Sequence, residues 1–160
     1  FGISYLRLNS DVQEHAYVLL PNETSAPADL VAAFNKTNRL QDILTSNFKT
    51  GRTGNAILAA SIQQAKAEGI QPSIYTHPIG FHGHAAGTTI GMWDNQGPTP
   101  IQGDWPLYAN TAYAIEGNIK QAIPEWQNQL AQIMLEQSAY FDGKQVIYLA
   151  GRQTQWHLVR

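Results

Sequence analysis

The strongest local constraint on the fold is the Asp142-Gly143 pair near the C-terminal end of the chain. It lies between two runs in which apolar and polar residues alternate, "QLAQIMLEQSAYF" at 129–141 and "KQVIYLAG" at 144–151. Asp-Gly favours the positive-φ backbone of a tight turn, and alternation has the period of a half-buried strand. The pair therefore predicts an antiparallel hairpin. Further strands are predicted in "TAYAIEGNIK" at 111–120 and in the short "TQWHLVR" at 154–160.

Two helices are predicted in the first half of the chain. From Ala28 to about Asn47, apolar residues recur at helical intervals, while the polar run 35–38 leaves open whether this is one helix or two. The second helix has Thr53 as its candidate N-cap and Gly69 as its stop signal, with apolar residues between them at helical spacing.

The segments around these helices complete the expected architecture. Strand-like residues from Ile3 and Tyr5 onward, and again at 15–20, predict an antiparallel pair joined at the "LNSD" corner. Residues after Pro72 are rich in Gly, Pro and Thr as far as the last strands, which indicates a long irregular segment of the kind that often carries function. The order of strands, helices and then mostly strands predicts an α+β fold.

Composition narrows the class of protein. The 160 residues are enough for one domain, 1–160, and 43% apolar against 14% charged residues predicts a packed core. A net charge of -2 without a basic run argues against a nucleic-acid partner, and no stretch approaches the roughly 18 apolar residues of a membrane span. The absence of cysteine excludes thiolate metal sites and a cysteine nucleophile. Because the chain starts at Phe1 within a strand-like pattern, we expect it to be part of a longer protein.

Two strand glutamates and a histidine cluster carry the candidate chemistry. Glu116 and Glu136 each interrupt an apolar alternating run, so each either faces solvent or is buried and compensated. Together with Asp11 and His77 they could bind a hard or borderline divalent ion.

Two other interpretations of the histidines stay open. His82 and His84, two residues apart on a strand, could bind a single zinc ion. Alternatively, the histidines line a binding pocket that holds no metal. His15 and His157, which lie outside the cluster, are interpreted as hydrogen-bonded structural residues.

The segment "HPIGFHGH" resembles the histidine motif of the pita-bread metallopeptidases, a superfamily of methionine aminopeptidases, Xaa-Pro aminopeptidases, prolidases and creatinase. His77 and His84 keep the interval between that motif's two histidines. "AYAIEGNI" is similar to the family's next motif with Glu116 at its glutamate, and "IMLEQSAYF" is similar to the last one with Glu136. Asp11 is similar to the second of the family's two aspartates. The motifs follow the family's order over nearly the whole chain.

The resemblance implies a fold and an activity. The fold is a curved antiparallel sheet backed by helices, of which this chain is expected to be the C-terminal part. The implied activity is peptide hydrolysis of the aminopeptidase or Xaa-Pro-dipeptidase type by metal-activated water, with a peptide substrate and a homodimer as the expected partners. The family uses two divalent ions, of Mn, Co, Zn or Fe.

The resemblance also implies individual roles. Asp11, His77, Glu116 and Glu136 are the expected metal ligands, with Glu136 bridging the two ions. Glu116 is additionally the expected general base, and His84 the residue that contacts the substrate and stabilises developing charge.

The sequence departs from the family pattern at several positions. The family's first aspartate falls one position before Phe1, so we expect the second ion to be absent or weakly bound in this chain. Met134 stands where proline-specific members carry arginine, which argues against proline specificity. Pro78 and Gly117 exchange glycine and proline relative to the family, a backbone change only. A non-catalytic relative that binds peptide or protein in the cleft is the alternative function.

Overall fold

The helices and strands of this protein are described for residues 1–81 and 83–160 by a computed structural model. In chain order they are β1 (Ser4–Tyr5), β2 (Leu8–Asn9), β3 (Ala16–Val18), α1 (Ala28–Ser46), α2 (Gly54–Ala67), β4 (Pro72–Ile74), β5 (His77–Pro78), β6 (Thr111–Ile123), β7 (Gln129–Phe141), β8 (Val146–Tyr148) and β9 (His157–Val159). A single 3-10 turn, Pro124–Trp126, connects β6 to β7.

The centre of the structure is the antiparallel pair of β6 and β7, which are matched along their whole length from Thr111↔Phe141 to Ile123↔Gln129. On its other edge β6 pairs antiparallel with β4 and then with β5. On the far side, β8 pairs with β7 across the Asp142-Gly143 turn, which confirms the predicted hairpin. Asp142 stabilises that turn by accepting hydrogen bonds from the backbone N–H groups of Lys144 and Gln145, at 2.7 and 2.8 Å.

Alternation along β6 and β7 gives the sheet two different faces. One face carries buried apolar residues that pack against α1, among them Ile115, Ile119, Ile133 and Leu135. Helix α1 supplies Leu30, Phe34, Leu40, Ile43 and Leu44 to the same core. Since side chains alternate along a strand, the neighbouring residues Glu116 and Glu136 lie on the opposite face. The fold therefore separates the hydrophobic core from the candidate site by the thickness of one sheet.

The helix predictions are confirmed, and the structure decides the open point in α1. Thr53 caps α2 by accepting a hydrogen bond from the Ala56 N–H at 3.2 Å, and Gly69 ends the helix region at a φ of 73°. Helix α1 is continuous through the polar run, where the buried side chains of Thr37 and Asn38 donate to the carbonyls of Ala33 and Phe34 one turn earlier, at 3.1 and 3.4 Å.

The predicted pairing of the first strands is wrong. β1 pairs with β2 across Leu6 and Arg7, both of which have positive φ, so the turn lies at these two residues, and Leu8 and Asn9 of the expected "LNSD" corner form β2 instead. β3 instead pairs in parallel with β9, with Ala16 opposite His157. The sequence predicts that the second strand pairs with the strand just before it, because consecutive strands are usually neighbours. In the structure, the C-terminal strand β9 forms the hydrogen bonds with β3 instead.

The described residues of the segment expected to be irregular form two short strands, β4 and β5, together with turns, bends and isolated bridges. Isolated bridges tie it to the sheet, as where Thr76 and Ile90 exchange backbone hydrogen bonds at 3.0 and 2.8 Å. Among the described residues, neither helix has the length and hydropathy required to cross a membrane.

Candidate metal centre

The base of the candidate site is a pair of glutamates on adjacent strands. Glu116 of β6 and Glu136 of β7 are direct partners in the antiparallel register, so their side chains leave the same face of the sheet side by side. The Glu136 side chain is 2% exposed and that of Glu116 16% exposed. Of the two possibilities that the sequence left open for these carboxylates, Glu136 is the buried one, whereas Glu116 is partly buried at the edge of a pocket.

His77 lies against this pair. It belongs to β5 and pairs with Ala114 of β6, which fixes its backbone beside the glutamate pair. Its Nε2 atom is 3.7 Å from Glu116 Oε2 and 3.7 Å from Glu136 Oε1. Its Nδ1 atom is 3.1 Å from the Pro78 carbonyl oxygen, which can only accept, so Nδ1 carries the proton in this contact. In the neutral ring the Nε2 lone pair is then directed at the carboxylates.

Asp11 reaches the site from the segment between β2 and β3. Its Oδ2 atom is 4.0 Å from the Nε2 atoms of both His77 and His84. Ser138, two residues after Glu136 on β7, holds this segment in place, with its Oγ 3.2 Å from both the backbone N and the backbone O of Asp11. The structure thus brings Asp11, Glu116 and Glu136 together around the His77 ring, although Asp11 and Glu136 are 125 positions apart in the sequence.

The two glutamates of the site place negative charges close together in a region that is largely shielded from water. Burial, and then the neighbouring charge of Glu136, raises the pKa of Glu116 to about 7. Burial opposes a charge on the His77 ring, but the hydrogen-bonding environment and the carboxylates around it outweigh burial and raise its pKa. Two carboxylates that share a site repel unless a cation or proton lies between them.

His84 occupies a different position from His77, although its ring centroid is only 4.2 Å away. Its side chain is 63% exposed and stacks with Tyr75 at 6.0 Å. It is placed at the rim of the site, where an incoming molecule can reach it. His82 lies outside the described residues, so a zinc site at His82 and His84 stays a prediction.

Two pockets adjoin the group, one on either side of Tyr75. The first, of about 390 Å³, is lined by His77, His84 and Trp105 among other residues. The second, of about 440 Å³, extends from Glu116 past Trp93 and Met134. Tyr75 lines both pockets and its ring centroid is 5.0 Å from that of His77. A small molecule or an extended peptide can therefore reach the two histidines through the first pocket and Glu116 through the second.

Sequence reasoning missed Gln13. Its side-chain amide nitrogen donates to Glu116 Oε1 at 3.0 Å and to Glu136 Oε2 at 2.7 Å, so one residue contacts both buried carboxylates. The available signal was its spacing from Asp11, because residues two apart in an extended segment point to the same side.

The side chains present fit a divalent cation. Among the described residues, the buried His77 Nε2 has no hydrogen-bond partner, although a buried polar nitrogen without one is costly. Ligand atoms of His77, Glu116 and Glu136 lie within 4.8 Å of one another, and Asp11 and His84 form a second such group with the same imidazole. Mixed imidazole and carboxylate donor sets of this kind are accepted by Mn, Co, Fe and Zn.

No family model and no curated protein sequence matches the chain. Solved structures do. The X-Pro aminopeptidase of Thermotoga maritima superposes with a TM-score of 0.72 at 17% identity over 99% of this chain, and the prolidase of Pyrococcus furiosus with 0.61 at 20% identity over 95%. This chain has the pita-bread fold. It spans 40% of the length of each of these two peptidases.

The pita-bread fold also occurs in proteins that are not named as peptidases. The N-terminal domain of the FACT complex subunit SPT16 from chickpea superposes with a TM-score of 0.68 at 11% identity, over 96% of this chain and 35% of that one. The recognition of the fold from sequence motifs is confirmed. At these identities the likeness concerns the fold alone.

Proposed function

We propose that residues 1–160 contribute the C-terminal part of a catalytic domain that hydrolyses peptides, with a divalent metal bound by Asp11, His77, Glu116 and Glu136. The observation that carries this proposal is the buried Nε2 of His77, which has no hydrogen-bond partner in the part of the chain that the structure describes. It lies within 4.0 Å of a carboxylate oxygen of each of the three acidic residues. A structural histidine at 3% exposure would be expected to use both ring nitrogens.

Each residue has a task that its position allows. The Pro78 carbonyl holds the Nδ1 proton of His77 and so keeps Nε2 free as a ligand atom. Glu116 lies beside the proposed ion position, with its Oε2 3.7 Å from His77 Nε2, where its carboxylate can accept a proton from an activated water. A divalent ion bound here supplies a Lewis acid that activates water and polarises a carbonyl group.

His84 and the pockets provide for the substrate. The exposed ring of His84 lines the 390 Å³ pocket, so a peptide in that pocket can contact this ring without displacing His77. We assign it a hydrogen bond to the substrate that strengthens as charge develops on the carbonyl oxygen. The substrate class is a peptide of the aminopeptidase or dipeptidase type. Met134 lines the second pocket at the position where proline-specific members of the family carry arginine, so we do not propose proline specificity.

The test uses the full-length protein and a panel of di- and tripeptides with Mn²⁺ or Co²⁺. We expect Glu136→Ala to abolish both metal uptake and peptide hydrolysis, because Glu136 is the most deeply buried carboxylate of the group. Glu136→Gln keeps the shape and removes the charge, and it should lose both properties as well. Glu14→Gln, which neutralises an exposed carboxylate three residues from Asp11, is the control and should keep both. Hydrolysis that survives in both Glu136 variants contradicts the proposed site.

The second candidate function is peptide or protein binding without turnover, favoured by the structural likeness to the SPT16 N-terminal domain. In that case the same pockets bind a peptide, but removing divalent ions with a chelator should leave its affinity unchanged, since no metal takes part. Calorimetric titration with peptides that the wild-type protein fails to cleave distinguishes the two functions.

A further inference from the structure

Gln13 is held in register with the glutamate pair by its own backbone. Its N–H donates to the Glu136 carbonyl oxygen at 2.9 Å, and the Glu136 N–H donates to the Gln13 carbonyl oxygen at 3.1 Å. This two-way bridge places Gln13 directly opposite Glu136 as an additional strand-like partner of β7. The side chain therefore starts from a fixed point beside the two buried carboxylates.

The two oxygens of each glutamate face different partners. Glu116 Oε2 and Glu136 Oε1 lie 3.7 Å from His77 Nε2. Glu116 Oε1 and Glu136 Oε2 instead accept hydrogen bonds from the Gln13 amide nitrogen. The carboxylate pair thus has a His77 side, where the imidazole nitrogen has no hydrogen-bond partner among residues 1–81 and 83–160, and a Gln13 side, where both oxygens already accept hydrogen bonds.

An amide NH₂ group that donates one proton to each of two carboxylates does part of what a bridging cation does. It offers positive partial charge to both anions, and its two protons are both used. A second ion in a metal pair would need carboxylate oxygens on the side away from the first ion, because bridging carboxylates hold such ions about 3.5–4 Å apart. In this protein those oxygens are bonded to Gln13.

We propose that Gln13 is a positioning residue that closes the second cation position, so that the site takes one divalent ion, on the His77 side. This inference rests on the proposed metal site and adds its stoichiometry. Gln13 contacts the ligand glutamates rather than the substrate, so its effect is expected in metal binding first.

The experiment is a Mn²⁺ titration of the full-length protein after removal of metal with a chelator, with bound ions counted by electron paramagnetic resonance and by calorimetry. We expect the wild-type protein to saturate at one ion per chain. Gln13→Glu replaces the donor by a carboxylate of the same length and should saturate at two. Gln13→Leu removes the donor without adding a ligand and should also admit a second ion, with lower affinity than Gln13→Glu.

The matched control is Gln132→Glu. Gln132 is exposed on β7, bonds to Asn118 at 3.0 Å and lies on the same face as Glu136, four residues away. The change adds the same charge to the same face, so stoichiometry should stay at one. Circular dichroism checks the fold of each variant, and Gln13→Leu decides the matter if Gln13→Glu is unfolded.

The outcomes separate the inference from the proposed function. A wild-type protein that binds two ions, or folded Gln13 variants that stay at one, overturns the role of Gln13 and leaves the metal site standing. A wild-type protein that binds no Mn²⁺ overturns the metal site and the inference together. Loss of Mn²⁺ binding in both Gln13 variants would show a role in holding the ligands rather than in closing a position, and also overturns the inference.

Discussion

His15 and His77 are both histidines packed against β7, and their surroundings are opposite. His15 Nε2 accepts a hydrogen bond from the Met134 N–H at 2.8 Å, and its ring lies 5.3 Å from that of Trp156. Burial lowers the pKa of His15. His77 Nε2 has no hydrogen-bond partner among the residues described, faces carboxylates, and has a raised pKa.

The difference shows how one residue type serves two purposes. Around His15, ring and backbone are satisfied by partners that hold β3 to the C-terminal segment, as where the Gln153 side chain bonds to the His15 N and O atoms. This environment stabilises a neutral ring and needs no ligand. Around His77, the protein collects negative charge and leaves the acceptor nitrogen open, an arrangement that a bound cation stabilises.

Among the substitutions that test this difference between His77 and His15, we expect the largest effect from His77→Ala. Removing a direct ligand should lower Mn²⁺ affinity by more than the ~10–100-fold that follows loss of an outer-shell partner, and hydrolysis should disappear with it. Equilibrium dialysis with Mn²⁺ and a peptide cleavage assay measure the two losses. His77→Gln tests the same point with less loss of volume.

His15→Ala is the matched control for that variant. We expect it to lower the thermal midpoint, because a hydrogen bond and an aromatic contact are lost, while Mn²⁺ affinity stays at the wild-type value. Equal losses of Mn²⁺ affinity in both variants would mean that the two histidines do not differ in role.

A smaller effect is expected from His84→Ala. Because its ring is exposed at the rim, the change should spare the fold and the metal affinity and lower kcat by about 10²-fold, the range for a positioned proton-transfer or charge-stabilising group. Steady-state kinetics at saturating Mn²⁺ measure it. Unchanged kcat would remove His84 from the proposed mechanism.

The smallest effect is on the pH dependence of stability of the metal-free protein. Glu116 keeps its proton up to about pH 7 when folded but only to about 4.5 when unfolded, so the folded state binds more protons in between. Stability should therefore fall as pH rises through that window, by at most about 3 kcal/mol. Urea unfolding in the presence of a chelator measures it, and Glu116→Gln should remove this fall.

His15 should act in the opposite direction in the same measurement. Its folded pKa lies below the unfolded value of 6.5, so the unfolded state takes up the proton first and stability should fall as pH drops below that value. His15→Gln should remove the loss on the acid side and leave the Glu116 effect in place. Identical pH profiles for the two variants would contradict the assignment.

Much of the fold could be predicted because it depends on local patterns. Thr53 caps a helix and Asp142 folds a turn through bonds to residues two or three positions away. The pairing of β3 with β9 could not be predicted. It joins Ala16 to His157, and local sequence patterns do not indicate which distant strand a given strand pairs with. The continuity of α1 could not be decided from sequence for a related reason. Thr37 and Asn38 of its polar run are buried by tertiary packing, which the local pattern does not reveal.

The sequence by itself determined which residues could be ligands, through the motif interval from His77 to His84 and the acidic interruptions of two apolar strands. Only the tertiary structure decided that Glu116 and Glu136 stand directly opposite each other, and that Gln13 contacts both. The physical reason is that strand register and burial are set by contacts between distant segments. A shift of one residue would have turned the same glutamates toward the hydrophobic core.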